Sequence, residues 1–173
     1  MSKREVLRFT REEISKRVCE LGKQISKDYC GKDIVAIGLL RGSFVFLADL
    51  VREIDKPIVV DFMTTSSYEH SEVSSGNVNI LSDIRENIEG KDVILVDDIM
   101  DSGNTLKNVV DYIWTKKPNS VKTCVMLDKP SRREVDLSPD YCGFTIDDWF
   151  IVGYGLNFED KYRNIPYIFS YED

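Results

Sequence analysis

Apolar residues recur at helical spacing between positions 7 and 29, where Ile14, Val18, Leu21 and Ile25 share one face. Thr10 stands three residues before Glu13, the arrangement of a capping box, so the pattern predicts an amphipathic helix there. A continuous β-branched run follows at 34–40 (IVAIGLL) and is closed by Arg41, Gly42 and Ser43. The period then returns to helical at Phe44, Leu47, Leu50 and Val51, which reads as strand, turn and helix. Positions 58–65 (IVVDFMTT) read as a further strand, whereas 66–77 (SSYEHSEVSSGN) carry serines, a glycine and no apolar period, the mark of a mobile excursion. A strand over 78–81, a turn at 90–92 and a buried strand over 93–96 (VILV) come next. Positions 105–114 predict a helix with Leu106, Val109, Val110 and Ile113 on one face, stopped by the segment KKPN at 116–119. A strand over 121–127 leads to a charged loop at 128–136, and Phe150 to Val152 with Tyr154 predicts a last strand.

Short, continuously apolar strands alternating with helices predict an α/β fold, a mainly parallel sheet flanked by helices on both faces. In such sheets ligands bind beyond the carboxyl ends of the strands, so the segments after positions 40, 96 and 127 are expected to face one cleft. A length of 173 residues fits a single domain spanning 1–173. The 23 Lys and Arg against 30 Asp and Glu give a net charge of −7, which opposes nucleic-acid and anionic-membrane binding. An anionic ligand must therefore meet donors arranged locally. No run approaches the ~18 apolar residues of a membrane span, the polar start lacks the apolar stretch of a secretory signal, and a cytoplasmic protein is expected. Cys19, Cys30, Cys124 and Cys142 form no C-x-x-C pair and read as reduced, buried thiols.

Candidate chemistry collects in VILVDDIMDSGNT at 93–105. A strand delivers Asp97 and Asp98 to the sheet edge, and Asp101, Ser102, Gly103, Asn104 and Thr105 form a small-residue turn that opens a helix. Backbone N–H groups at a helix N-terminus, with the Ser and Thr hydroxyls, suit a phosphate, and Gly103 allows close approach. Phosphate beside carboxylates points to Mg2+ or to sugar hydroxyls held by Asp97 and Asp98. A capped helix after a buried strand is the alternative, although capping needs one acid and not three. Taken alone, Lys129 reads as a solvated charge, Phe150 and Ile151 as core, and Arg41 and Arg163 as surface cations.

The stretch VILVDDIMDSGNTL resembles the phosphoribosyl-pyrophosphate (PRPP) signature of the type I phosphoribosyltransferases. With GLLRGSFVFLADL, VDFMTTSSY, LDKPSRREV, WFIVGYGL and KYRNIPYI in order, nearly the whole chain resembles the bacterial hypoxanthine (hypoxanthine-guanine) phosphoribosyltransferases. That resemblance implies the type I fold, in which terminal segments and a flexible loop build a small hood over the sheet. It implies transfer of the phosphoribosyl group from PRPP to N9 of hypoxanthine or guanine, giving IMP or GMP and pyrophosphate in purine salvage, with Mg2+. Asp101 would be the general base near purine N7, Asp97 and Asp98 would hold the ribose hydroxyls, and Asp101 to Thr105 would cradle the 5′-phosphate. Lys129 would donate to the purine 6-oxo group, Phe150 would stack on the base, and the Ile151 backbone would meet its edge. Leu40, Arg41 and Gly42, with a cis peptide between the first two, would bind pyrophosphate together with Arg163. Ser67 and Tyr68 would open the flexible loop, and the family's members form dimers or tetramers.

Two positions depart from the family pattern. Asp97 stands where Glu is usual, and Asn157 replaces an Asp expected to bind a second Mg2+ and to sit by the purine. An amide still offers a carbonyl oxygen but loses a charge, so weaker binding of the second metal is expected. Three rival readings remain: a xanthine- or guanine-preferring transferase, a PRPP-sensing RNA-binding regulator, and a mononucleotide-binding module without catalysis. The net charge opposes the second, and a base-positioned acid at Asp101 opposes the third.

Overall fold

The computed structural model describes residues 4–66 and 79–172. In chain order the elements are β1 (Arg4–Phe9), α1 (Arg11–Asp28), β2 (Ile34–Leu40), α2 (Phe44–Arg52), β3 (Val59–Ser66), β4 (Asn79–Ser82), β5 (Asp92–Met100), α3 (Asn104–Trp114), β6 (Ser120–Asp128), β7 (Tyr141–Thr145), β8 (Ile151–Val152) and β9 (Ile168–Glu172). A single 3-10 turn, Pro130–Arg132, interrupts the connection after β6.

The expected capping box starts α1: the Glu13 amide donates to Thr10 Oγ1 at 3.1 Å and the Thr10 amide to Glu13 Oε2 at 2.8 Å. The main sheet runs β4-β3-β2-β5-β6-β7, with all neighbouring pairs parallel except the edge pair β3 and β4. Its centre is covered on both faces, which is why β2 and β5 read as unbroken apolar runs rather than alternating ones. Ile14, Val18, Leu21 and Ile25 of α1 and Leu47 and Leu50 of α2 pack with Ala36, Ile94 and Cys124. Leu106, Val109 and Ile113 of α3 pack with Val35, Ile37, Leu95 and Val125. The alternate residues of each strand thus feed two separate cores.

The hood is a second, antiparallel sheet in the order β1-β9-β8, with Arg4 opposite Glu172 and Ile151 opposite Ser170. This corrects the expectation at both ends of the chain. The helical period expected from position 7 begins only at Arg11, because Arg4–Phe9 pairs with β9. The strand expected last is followed by β9, and β7 is a further strand where none was expected. The cysteines are also corrected. All are free thiols, but only Cys124 is buried, Cys19 and Cys142 are half-buried and Cys30 is exposed, just past the C-terminal turn of α1. Ser67, Tyr68 and the excursion around them lie outside the described residues. No helix among the described residues is long and apolar enough to cross a membrane.

Candidate active site

The strand expected over 93–96 runs on to Met100, so Asp97 and Asp98 stand on β5 itself rather than after it. Beyond the strand, Asp101 and Ser102 turn the chain, and Gly103 serves as N-cap of α3 at φ +83°, a left-handed conformation that side-chain-bearing residues rarely adopt. The Ser102 hydroxyl accepts from the Asn104 amide at 3.2 Å. These groups border a cleft of about 340 Å³ beyond the carboxyl ends of β2 and β5. Leu40 and Gly42 line one side of it, Asp97 and Asp98 a second, and Asp101, Ser102, Gly103 and Thr105 a third. Thr65 of β3 also lines the cleft, a contribution that strand periodicity gives no means of singling out.

Close approach between three segments fixes one wall. The Leu40–Arg41 peptide is cis, as the resemblance implied. A Cβ on Gly42 would stand 1.7 Å from Asp98 Oδ2, and one on Gly155 would stand 2.2 Å from the Gly42 carbonyl oxygen, so neither position has room for a side chain. Arg163 Nη1 donates to the Gly155 carbonyl at 2.6 Å, and the guanidinium charge favours the ionised form of Asp98.

The two strand carboxylates are electrostatically opposed. Burial, reinforced by the negative charge of Asp98, holds the Asp97 carboxyl well above the usual carboxylate range. Burial also raises Asp98, though less, because the Asp97 side chain, the Ile99 amide and Arg163 favour its anion. The like charges of the two carboxylates repel each other, and a cation or sugar hydroxyls placed between them would relieve that repulsion.

Lys129 enters the site from the segment after β6. Only 7% of its surface is exposed, and Nζ lies 3.4 Å from Asp101 Oδ1 and 3.6 Å from Asp148 Oδ1. Its segment is stitched to the Asp101 turn. The Lys129 amide donates to the Met100 carbonyl at 3.0 Å and the Glu134 amide to the Ser102 carbonyl at 2.9 Å. Asn104 Nδ2 donates to Glu134 Oε2 at 2.6 Å, and Arg133 Nε to the Asp101 carbonyl at 3.3 Å. Arg133 and Glu134, in the charged loop at 128–136, and Asp148 beyond it thus join the site with no periodic or motif signal of their own in the sequence.

Phe150 is 51% exposed and packs edge-on against Phe158 with ring centroids 5.5 Å apart, while Ile151 is buried at the start of β8. Trp149, just before Phe150, lies under the Arg8 guanidinium at 3.8 Å, and Arg8 Nε donates to Ser170 Oγ at 2.7 Å. The hood thus anchors the segment that presents Phe150. Arg41 is exposed and Asn157 is half-buried on the turn after β8; neither lines the cleft. Among the described residues no group of three or more His, Cys, Asp or Glu side chains could hold a metal by itself.

Residues 9–159 match the phosphoribosyl transferase domain family. The chain is 50% identical over 158 residues to the hypoxanthine phosphoribosyltransferase of Salmonella typhimurium, covering 90% of this chain and 89% of the relative. It is 49% identical over 163 residues to the hypoxanthine-guanine phosphoribosyltransferase of Aquifex aeolicus, covering 94% and 92%. Its fold superposes on the crystal structure of a hypoxanthine phosphoribosyltransferase from Staphylococcus aureus with a TM-score of 0.92 and 42% identity, over 96% and 91% of the two chains. With the PRPP-type turn, the cleft at the strand ends and the hood all in place, the chain belongs to the phosphoribosyltransferase family, among the hypoxanthine phosphoribosyltransferases.

Proposed function

We propose that this protein is a purine-salvage transferase that moves the 5-phosphoribosyl group of PRPP to N9 of hypoxanthine, and of guanine, with Asp101 as general base. The observation that carries the reading is the pairing of Asp101, at the mouth of the PRPP-type turn, with the buried ammonium of Lys129 at 3.4 Å. A carboxylate and an ammonium at that separation match a purine that loses a ring proton and presents a 6-oxo acceptor. In the reaction the C1′–N9 bond forms, the C1′–oxygen bond to pyrophosphate breaks, and the proton leaves the base for the Asp101 carboxylate. Lys129 favours the developing charge on the 6-oxo oxygen, whereas a 6-amino group offers the ammonium no comparable acceptor. The turn from Asp101 to Thr105 receives the 5′-phosphate on backbone N–H groups and hydroxyls, and Gly42 and Arg163 receive pyrophosphate. Exposed Phe150 offers an aromatic face for the base, and Ile151 its backbone.

The donor set at Asp97 and Asp98 fits Mg2+, which takes one or two carboxylates, keeps several waters and bridges substrate phosphates rather than needing an all-protein cage. Bound there, the ion would neutralise charge on the departing pyrophosphate. Asp97 and Asp98 would otherwise hold the ribose hydroxyls. Asn157 belongs to the same reading as a weakened second metal ligand. We assign the chain 1–173 to one domain in the cytoplasm that acts as a homodimer or homotetramer. Association of copies is supported by Phe44, Val60 and Phe62, large apolar side chains left 45%, 40% and 41% exposed.

Purified protein with PRPP and Mg2+, offered hypoxanthine, guanine, xanthine and adenine separately, tests the reading. IMP and GMP formation with adenine inert is expected. No nucleotide from any base, with PRPP still bound, would overturn it in favour of a binding or sensing role.

A further inference from the structure

The ammonium of Lys129 stands between two carboxylates, 3.4 Å from Asp101 and 3.6 Å from Asp148. Both separations exceed the ~2.7–2.9 Å of a closed charge-assisted hydrogen bond, so the ammonium is centred rather than committed to either partner. Asp148 is held from its far side, because Arg132 Nη1 lies 3.3 Å from Asp148 Oδ2. Its neighbour Trp149 is fixed in turn beneath Arg8. Asp148 therefore sits on an anchored segment, while Asp101 sits on the turn that opens α3.

We infer that Asp148 is a positioning residue for purine recognition. Its carboxylate balances the pull of Asp101 on Lys129, which keeps the ammonium aimed at the 6-oxo group of the base and leaves the Asp101 carboxylate free to accept a proton. Without that balance one attraction acts unopposed. Lys129 then closes onto Asp101, and a single ion pair occupies both the donor and the base. The inference rests on the proposed role of Lys129.

The test is a double-mutant cycle read by IMP affinity in calorimetry and by turnover of hypoxanthine. Asp148→Asn, which removes charge at nearly constant shape, is expected to weaken IMP binding and to lower kcat by about tenfold each, the scale of one charged hydrogen bond. PRPP affinity should stay within about twofold, and Asp148→Glu should recover part of the loss. Purine riboside 5′-monophosphate, which lacks the 6-oxo group, should bind both proteins equally. In the Lys129→Met background, Asp148→Asn should change IMP affinity by less than about twofold, since the group it acts through is gone. A full tenfold loss persisting in that background, or an equal loss for the nucleotide without the 6-oxo group, would show a merely structural role and overturn the inference. If Lys129→Met alone leaves IMP affinity unchanged, the reading of Lys129 itself fails, and the role of Asp148 with it.

Discussion

Asp101 is half exposed yet stands beside an ammonium that is almost wholly withdrawn from water. A carboxylate placed in this way can take a proton without being needed for PRPP affinity. Asp101→Asn is therefore expected to lower kcat by about 10²–10⁴-fold while the Kd for PRPP changes little, measured by steady-state kinetics and calorimetry. Equal losses in both would mark a binding residue instead. Asn157→Asp restores a charge on the turn after β8, and the Mg2+ concentration that gives half-maximal rate should fall several-fold; an unchanged Mg2+ dependence would show that position 157 holds no metal. Gly42 is constrained by sterics. A methyl there would overlap the Asp98 carboxylate, so Gly42→Ala should weaken PRPP binding by more than about tenfold with little change in Tm. The acidic residues of this site were legible because three acids in a five-residue window exceed any structural need. Asp148 was not, because an exposed acid in a loop looks the same whether or not a buried lysine faces it.

The elements that carry the site were the ones with periodic signals. The strands β2, β5 and β6 are largely buried, and they lead directly into the segments that line the cleft or carry Lys129. The α1 cap was legible from two residues, and its removal gives a clean measure of the helix. Thr10→Ala should cost about 1 kcal/mol, lowering Tm by a few degrees without changing kcat, as thermal unfolding and an activity assay would show. The hood strands were illegible for a physical reason. β1 and β9 are short and partly exposed, and they find their partners across almost the entire chain, so no local window contains the interaction that makes them strands. β7 was hidden in the same way, since YCGFT carries a glycine at its centre and pairs with β6 only through the tertiary fold. Burial of cysteines was overestimated because residue type was read without helix phase; Cys19 follows Val18, which takes the buried position on α1.

Across the whole molecule, the net charge of −7 allows anion binding only where donors are arranged locally, and the cleft supplies them at one helix N-terminus and one glycine wall. Sensitivity to acid resides instead in individual carboxylates that the fold holds ionised. At the start of β5, burial pushes the Asp92 carboxyl upward, but hydrogen bonds from Ser120 Oγ at 2.5 Å and Asn119 Nδ2 at 2.8 Å, with the charges of Lys32 and Lys56, outweigh it and hold the group below its ordinary value. A carboxyl depressed in the folded state stabilises fully above its unfolded pKa, about 3.9, and loses that contribution as pH falls through the folded value. Asp92→Asn should accordingly cost about 1 kcal/mol at pH 7 and progressively less below about pH 4, in denaturant titrations across pH. A difference independent of pH would exclude the ionised form as the source.

The pairing of β1 with β9 also sets an order of events during synthesis. Everything that lines the cleft at the carboxyl ends of β2 and β5 lies between Leu39 and Leu106, and those residues emerge from the ribosome well before Ile168. The segment that presents Phe150 and Trp149 cannot be clamped until β9 arrives to receive β1 and to bring Ser170 to Arg8. A growing chain can therefore complete the lining of that cleft first, while the wall that Gly155 and Arg163 close behind Gly42 and the segment that carries Phe150 come into being only with the C-terminal part.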